Sequence, residues 1–374
     1  MKTTPQHRTT TRVLVLGAGY AGLIAALRLA PHARVTLVDP ADHFTERVRL
    51  HERAAGRPDV THPLSLFLHG TGIDHIAARA TSLDPEARLV STDDGRSLPY
   101  DRLVYALGSR TGLPAGTTDT RAYTAESAAE LHKHLRDRPG SVAVVGGGLT
   151  GIEMAAELAE TYGPGGARVR LLTAADRIGT GLSSRGAAHA RSVLEARGVR
   201  IEEGRRVAHP ADADAEVVVW SAALVPNSEL ASSAGLSLAP SGRIAVDAAL
   251  RSVSHPDIYV PGDAGAAASP AAGALRMACA TALPTGSHAG ASIIRELRGE
   301  EPEPLDFGYL IQCVSLGRHD GLIQFVRPDD SPRERFLTGR TAAFTKEKVV
   351  RSTVRFLREA ARHPSLVHLI PGIG

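Results

Sequence analysis

Two glycine-rich hexapeptides in one chain set the first chemical expectation. The first, Gly17-Ala18-Gly19-Tyr20-Ala21-Gly22, follows the apolar run Val13-Leu14-Val15-Leu16 and precedes a helix-like stretch from Leu23 to Ala30. In that strand-turn-helix setting Gly17 permits a tight turn, Gly19 lets the backbone approach a pyrophosphate, and Gly22 lets helix and strand pack closely. The helix N-terminus supplies unpaired N–H donors to the anion. The second hexapeptide, Gly146-Gly147-Gly148-Leu149-Thr150-Gly151, repeats the pattern after Ser141-Val142-Ala143-Val144-Val145 and before Ile152 to Thr161. Its Gly146, Gly148, Thr150 and Gly151 form a second candidate cradle. Asp39 ends the strand-like run Val35-Thr36-Leu37-Val38. An acid about 20 residues past the first glycine is placed to accept hydrogen bonds from an adenosine ribose. Far downstream, Asp257-Ile258-Tyr259-Val260 reads as a short apolar strand that runs into Gly262-Asp263. Taken alone, Asp263 is a helix N-cap.

The elements that must position these groups are strand-loop-helix units, occurring twice, with a third strand end supplied from later in the chain. That order predicts an α/β fold of two interleaved Rossmann-like sheets plus a cap.

In order and spacing these motifs resemble the FAD/NAD(P)-dependent pyridine nucleotide oxidoreductases, and within them the single-subunit (type II) NADH dehydrogenases. The resemblance runs from Arg12 to Thr353 and includes a crossover strand, Leu103-Val104-Tyr105-Ala106-Leu107-Gly108-Ser109. It implies a glutathione-reductase-type pair of dinucleotide domains with a small C-terminal α+β domain. It also implies FAD as cofactor and NADH or NADPH as co-substrate. The first loop, Gly17 to Gly22, with Asp39 would hold the adenosine half of FAD. Ala106, Leu107 and Gly108 belong to the crossover, and Gly262 and Asp263 would meet the ribityl chain and pyrophosphate. A long helix starting around Cys279 would bring Ala282 and Leu283 to the flavin pyrimidine ring. Glu153 follows the second loop as in the family pattern, near nicotinamide and flavin, and is the candidate catalytic acid; its plain alternative is a first-turn glutamate favoured by the helix dipole.

Two departures from the family pattern bear on substrates. Family quinone reductases carry glutamines where this chain has Ala280 and Pro284. Thr173 stands where NADH-specific relatives commonly carry an acid for the ribose 2′-OH. Thr173 tolerates a 2′-phosphate and Arg177 is near enough in sequence to bind one, while Asp176 is equally placed to restore the ribose contact.

The expected organisation is a first FAD-binding part over 1–112, an NAD(P)-binding domain over 113–240, a second FAD-binding part over 241–302 and a C-terminal cap over 303–374. A polar, turn-rich excursion separates the first helix from the Leu103 strand. Strand-like pieces occur at Tyr309 to Leu316 and Leu322 to Val326 in the cap.

With 374 residues and 43% apolar composition the chain can bury a large core. A net charge of +3 is no nucleic-acid signature. The polar, basic start Met1 to Arg12 is followed by no long apolar segment, so a cytoplasmic protein is expected. Cys279 and Cys313 are the only cysteines. They form no closely spaced pair, which excludes a redox dithiol, and the default for each is a buried, inert thiol. No histidine or cysteine spacing calls for a metal. The run Lys346 to Arg358 has apolar residues at 349, 350, 354 and 357 among arginines. It reads as a basic amphipathic helix packed on the cap with a solvated basic face; the second reading is peripheral docking at a membrane surface. A homodimer stays open.

The functional expectation is an FAD-dependent oxidoreductase passing a hydride from NAD(P)H to a quinone-like or other small organic acceptor. Two alternatives are a tailoring flavoenzyme that uses O₂ with a degenerate NAD(P) site, and a non-catalytic flavin-holding redox sensor.

Overall fold

The computed structural model describes residues 10–57 and 60–369, so most of the basic start lies outside the described residues. Two five-stranded parallel sheets carry the molecule. The first runs, in spatial order, Ile258–Tyr259, Arg102–Tyr105, Arg12–Leu16, Arg34–Val38 and Asp74–Ile76. Its central registers pair Val13 with Val35 and Leu14 with Leu103. The second runs Ala122–Tyr123, Val217–Trp220, Ser141–Val145, Arg168–Leu172 and Arg200–Glu202. Their central strands are continuous Val and Leu runs because helices and loops cover both faces, leaving no solvent side to alternate toward. The sheets are interleaved in the chain: the Ile258–Tyr259 strand returns after the second sheet is complete and pairs with Leu103 and Val104. An antiparallel pair, Ser109–Thr111 with Leu224–Pro226, ties the outgoing crossing to the returning one.

The excursion between the first helix and the Leu103 strand is more ordered than its polar composition suggests. It contains a hairpin of His43–Thr45 with Thr61–Pro63, the short helices Leu50–Ala54 and Ser65–Leu68, and a meander of Ala80–Asp84, Leu89–Thr92 and Ser97–Pro99.

The first helix, Tyr20–Leu29, is buried nearly all round and packs against a long helix, Cys279–Leu297. Each fully buried Leu or Ile there contributes about 1.5–3 kcal/mol. The contact is close because Gly286 faces the backbone of Ala21: a Cβ at Gly286 would overlap the Ala21 carbonyl oxygen. Arg28 seals the crossing by donating to the Ser287 carbonyl at 3.2 Å and its hydroxyl at 2.5 Å.

The C-terminal unit is an antiparallel sheet of Ile311–Ser315, Gly321–Val326 and Pro332–Thr338, followed by the helix Gly339–Arg362. The third strand escapes a sequence reading because it is an edge: Pro332 opens it and Arg333, Glu334 and Arg335 point to solvent. The last helix corrects the expected amphipathic pattern. Its inward row is Ala342, Lys346, Val350, Val354, Leu357 and Ala360, whereas Val349 is exposed. Lys346 is thus not part of the solvated basic face, which consists of Lys348, Arg351, Arg355 and Arg358. The inward row packs on Gly321–Val326 and on the first helix. No helix among the described residues is long and apolar enough to cross a membrane.

The helix crossing yields a stability prediction. Gly286→Ala drives a Cβ into the Ala21 backbone and the Ile24 side chain, and should cost about 1–3 kcal/mol. A thermal melt of the purified variant reads this as a lower Tm; an unchanged Tm would show that the two helices can separate without loss.

Candidate active site

Each glycine loop is built the same way. Gly17 has φ +97° and Gly146 φ +122°, both in the left-handed region. A Cβ on Gly17 would sit 2.6 Å from the Ala106 carbonyl oxygen, and one on Gly146 2.9 Å from the Ala222 nitrogen. Gly22 and Gly151 press on the carbonyls of Gly17 and Gly146 in turn. Gly19 and Gly148 are different: a Cβ on either meets nothing within 4 Å. They are the N-caps of Tyr20–Leu29 and Leu149–Tyr162, and neither helix has a side-chain cap or an acid in its first turn. Open space beside uncapped helix N-terminal N–H groups is an anion cradle.

Asp39 holds the first loop, accepting the Ala18 N–H on Oδ2 at 2.7 Å and the Ala41 N–H on Oδ1 at 2.8 Å. Each oxygen keeps a lone pair for a further donor. Asp263 is not a helix cap: its Oδ2 accepts the Ser109 hydroxyl at 2.6 Å, while Oδ1 is buried with no partner. A buried carboxylate oxygen without a donor is costly unless something else supplies one. Gly262 donates its N–H to Thr285 Oγ1 at 2.9 Å, which ties this strand end to the long helix. That helix begins at Cys279, carries Ala282 and Leu283 half-buried near its start, and has no side-chain cap. Arg243, which sequence reasoning missed, donates to the Asp263 carbonyl at 3.0 Å and the Leu275 carbonyl at 2.6 Å. Ala106 abuts Gly17, the Leu107 carbonyl accepts the Asn227 amide at 2.7 Å, and the Gly108 carbonyl accepts the Asn227 N–H at 2.9 Å.

In the second cradle Thr150 is exposed beside Gly148. Thr173 is 7% exposed and lies under Gly147, where its hydroxyl accepts the Ala175 N–H at 3.2 Å. Arg177 donates to the Leu182 carbonyl at 3.1 Å, and Asp176 is exposed.

Glu153 lies beyond the first turn of its helix, so its placement is set by tertiary contacts rather than by the helix dipole. Its Oε1 accepts the Ser315 N–H at 2.9 Å and pairs with Lys346 Nζ; its Oε2 faces His51 Nδ1 at 3.8 Å. Four segments therefore meet here: the helices Leu50–Ala54, Leu149–Tyr162 and Gly339–Arg362, and the end of the Ile311–Ser315 strand. Lys346, His51 and Ser315 were not legible as site residues. Lys346 was hidden in a basic run and His51 in a charged stretch with no motif. Behind them Arg318 pairs with Glu157, which has no exposed surface, and with Glu52 at 3.2 Å. Desolvation raises the Glu157 carboxyl above its usual range despite Arg318. Desolvation, reinforced by Lys346, Arg318 and Arg49, holds the His51 imidazole well below its ordinary value.

Cys279 opens the long helix and Cys313 lies on the Ile311–Ser315 strand. Loss of solvation pushes Cys279 up to about 12 and Cys313 up to about 11. Both are free thiols.

Residues 11–281 match the pyridine nucleotide-disulphide oxidoreductase family. The chain is 31% identical over 354 residues to an NADH dehydrogenase-like protein of Mycobacterium tuberculosis, covering 82% of this chain and 86% of that one. It is 30% identical over 390 residues to the type II NADH:quinone oxidoreductase of Staphylococcus aureus, covering 90% and 94%. Among solved structures it shares the fold of the sulfide:quinone oxidoreductase from Aquifex aeolicus, with TM-score 0.77, 21% identity and coverage of 94% and 92%. It resembles the ferredoxin reductase from Rhodopseudomonas palustris with TM-score 0.71, 26% identity and coverage of 85% and 83%.

Thiol chemistry gives a direct check on how this chain compares with disulphide-using relatives. With both pKa values raised, the reactive thiolate is scarce at neutral pH and accumulates only as pH climbs toward 11. The native protein should therefore react with a disulphide reagent far more slowly than the unfolded chain at pH 8; equal rates would mean a reactive cysteine. On the span of the family match and the two relatives, the chain belongs to the pyridine nucleotide-disulphide oxidoreductase family and is an oxidoreductase of its NADH dehydrogenase-like kind.

Proposed function

We propose that the chain is an FAD-dependent oxidoreductase that takes a hydride from NADH or NADPH and passes two electrons to a quinone-like or other small organic acceptor. The observation that carries this reading is the buried, unpartnered Oδ1 of Asp263, at a strand end where Gly262 abuts Ala21 of the first glycine loop. Two glycine cradles in one chain suit two dinucleotides, one held as cofactor and one exchanged as co-substrate. The names of the relatives from M. tuberculosis and S. aureus support the same class.

The residues present fit FAD. The unpartnered Oδ1 of Asp263 suits a ribityl hydroxyl, the open space at Gly19 with the uncapped N-terminus of Tyr20–Leu29 suits the pyrophosphate, and Asp39 suits the adenosine ribose. FAD in this place supplies two-electron exchange at its isoalloxazine ring. Gly148, Thr150 and the N-terminus of Leu149–Tyr162 suit the pyrophosphate of NAD(P)H in the same way.

An acceptor taken to its two-electron, two-proton form needs one proton beyond the hydride. Glu153 is the acid for that proton: it lies on the helix that follows the second glycine loop and its side chain is partly shielded from water. Lys346 and the Ser315 N–H fix its Oε1 and leave Oε2 free to exchange.

The protein should purify yellow, with FAD bound non-covalently, and Asp263→Ala should lower flavin occupancy. Purification with FMN, or with no flavin, sinks the reading. Glu153→Gln should slow steady-state turnover with NADH and menadione about 10²-fold. Because both thiols are protonated, a Cys279→Ser, Cys313→Ser double variant should keep its turnover; loss of activity with FAD still bound would revive a thiol mechanism.

Donor choice is a separate test. Thr173 brings no charge to the second cradle, so kcat/KM for NADH and NADPH should differ by less than roughly tenfold, about 1.4 kcal/mol. A preference of several hundredfold for either would mean that another residue reads the ribose. Fast reoxidation by air with peroxide release, in place of menadione reduction, would favour the tailoring flavoenzyme.

A further inference from the structure

His51 occupies a position that the reaction so far leaves without a purpose. It is 4% exposed, on the short helix Leu50–Ala54, and lies between two carboxylates. Nδ1 is 3.8 Å from Glu153 Oε2 and Nε2 is 3.9 Å from Glu52 Oε1, while Nε2 has no hydrogen-bond partner. The two carboxylates are held alike. Glu153 has its Oε1 fixed by Lys346 and Ser315 and turns Oε2 to the imidazole. Glu52 has its Oε2 fixed by Arg49 at 2.8 Å and Arg318 at 3.2 Å and turns Oε1 to it. From Glu52 the cluster reaches the surface: Arg49 lies 3.7 Å from Glu347, whose side chain is 32% exposed. A buried polar ring that forms neither available bond, yet is within a small movement of both, is unusual for a residue kept only for packing.

We propose that His51 relays the proton that Glu153 delivers, receiving it on the side of Glu52, where Arg49, itself permanently charged, leads to Glu347 at the surface. The inference rests on the oxidoreductase reading above. NAD(P)H supplies two electrons and one proton as hydride, and the acceptor needs one proton more. That proton comes from solvent, reaches His51 Nε2 from the Glu52 side, leaves from Nδ1 to Glu153 Oε2, and the ring returns to its first tautomer. A neutral ring is required, since only that form both accepts and donates. The groups facing His51 favour it: Arg49 from the preceding turn, Lys346 from the last helix and Arg318 from the loop after Ser315 oppose a further positive charge. Glu52 and Glu153 face the ring from its two nitrogens. His51 acts through Glu153 and is a positioning residue.

The test combines a readout independent of turnover with one that divides the reaction. In ¹⁵N NMR of histidine-labelled wild-type protein, the His51 signals are assigned by their loss in His51→Asn or His51→Gln. Both ring nitrogens should show averaged, similar shifts in the neutral range of pH, the mark of exchanging tautomers. A single fixed tautomer overturns the relay. In anaerobic stopped-flow with NADH and then menadione, His51→Asn should slow the menadione step about tenfold relative to the NADH step and raise its solvent deuterium isotope effect. Equal slowing of both steps overturns the relay in favour of a structural role. If the wild-type protein does not pass electrons from NADH to menadione, the oxidoreductase reading falls and the relay with it. If the wild type turns over and His51→Asn is indistinguishable from it, the relay alone falls.

Discussion

The pairing of Glu153 with Lys346 is the constraint around which the cluster of His51, Ser315 and Arg318 is assembled. A lysine that is 8% exposed, on the inward row of a helix, is tolerated only because a carboxylate meets it. Removing either partner strands the other, at a cost of about 3–5 kcal/mol. The pair also fixes geometry. Glu153 is on the helix after the second glycine loop and Lys346 on the last helix, so their contact brings the C-terminal unit against the second sheet. Arg318 continues the arrangement by joining Glu157 and Glu52, which belong to the second sheet's helix and to the excursion from the first. Gln324, with no exposed surface, adds a neutral fastening, accepting the Ser183 N–H at 3.1 Å and donating to the Arg333 and Arg335 carbonyls.

This junction explains why the glycine loops were easy to read and the surroundings of Glu153 were not. A loop such as Gly17 to Gly22 is specified locally: each glycine answers to a neighbour in the same unit or to one adjacent strand, and the apolar runs on either side announce the element type. The strand and helix order, and the return of Ile258–Tyr259 to the first sheet, followed from the same local signals. His51, Lys346 and Ser315 depend on long-range packing. Lys346 lies 193 positions from Glu153 and Ser315 162 positions from it, and nothing in the sequence next to either residue marks the meeting. The charged stretch Glu46 to Arg53 belongs to what read as a polar, turn-rich excursion, yet Glu46, His51 and Glu52 are buried.

The last helix shows the same limit in miniature. Its periodicity gave the correct element and the inward Val350, Val354 and Leu357, but Val349, counted with them, is exposed, and Lys346, counted with the basic residues, is buried. The edge strand Pro332–Thr338 was missed for the opposite reason: its charges and proline protect an exposed edge and so disguise the strand.

Interleaving the two sheets imposes an order on synthesis. All five strands of the second sheet lie between Ala122 and Trp220, whereas the first sheet lacks its outer strand until Ile258–Tyr259 has been made. On the ribosome the enclosed unit holds its full set of strands while the enclosing one still presents the free edge of Arg102–Tyr105. Domains fold as units once their elements exist, and unpaired edges recruit other chains. The nascent chain therefore passes through a window, about 40 residues long, in which the later part is ready and the earlier part waits, its Leu103 and Val104 backbone open to whatever strand arrives first.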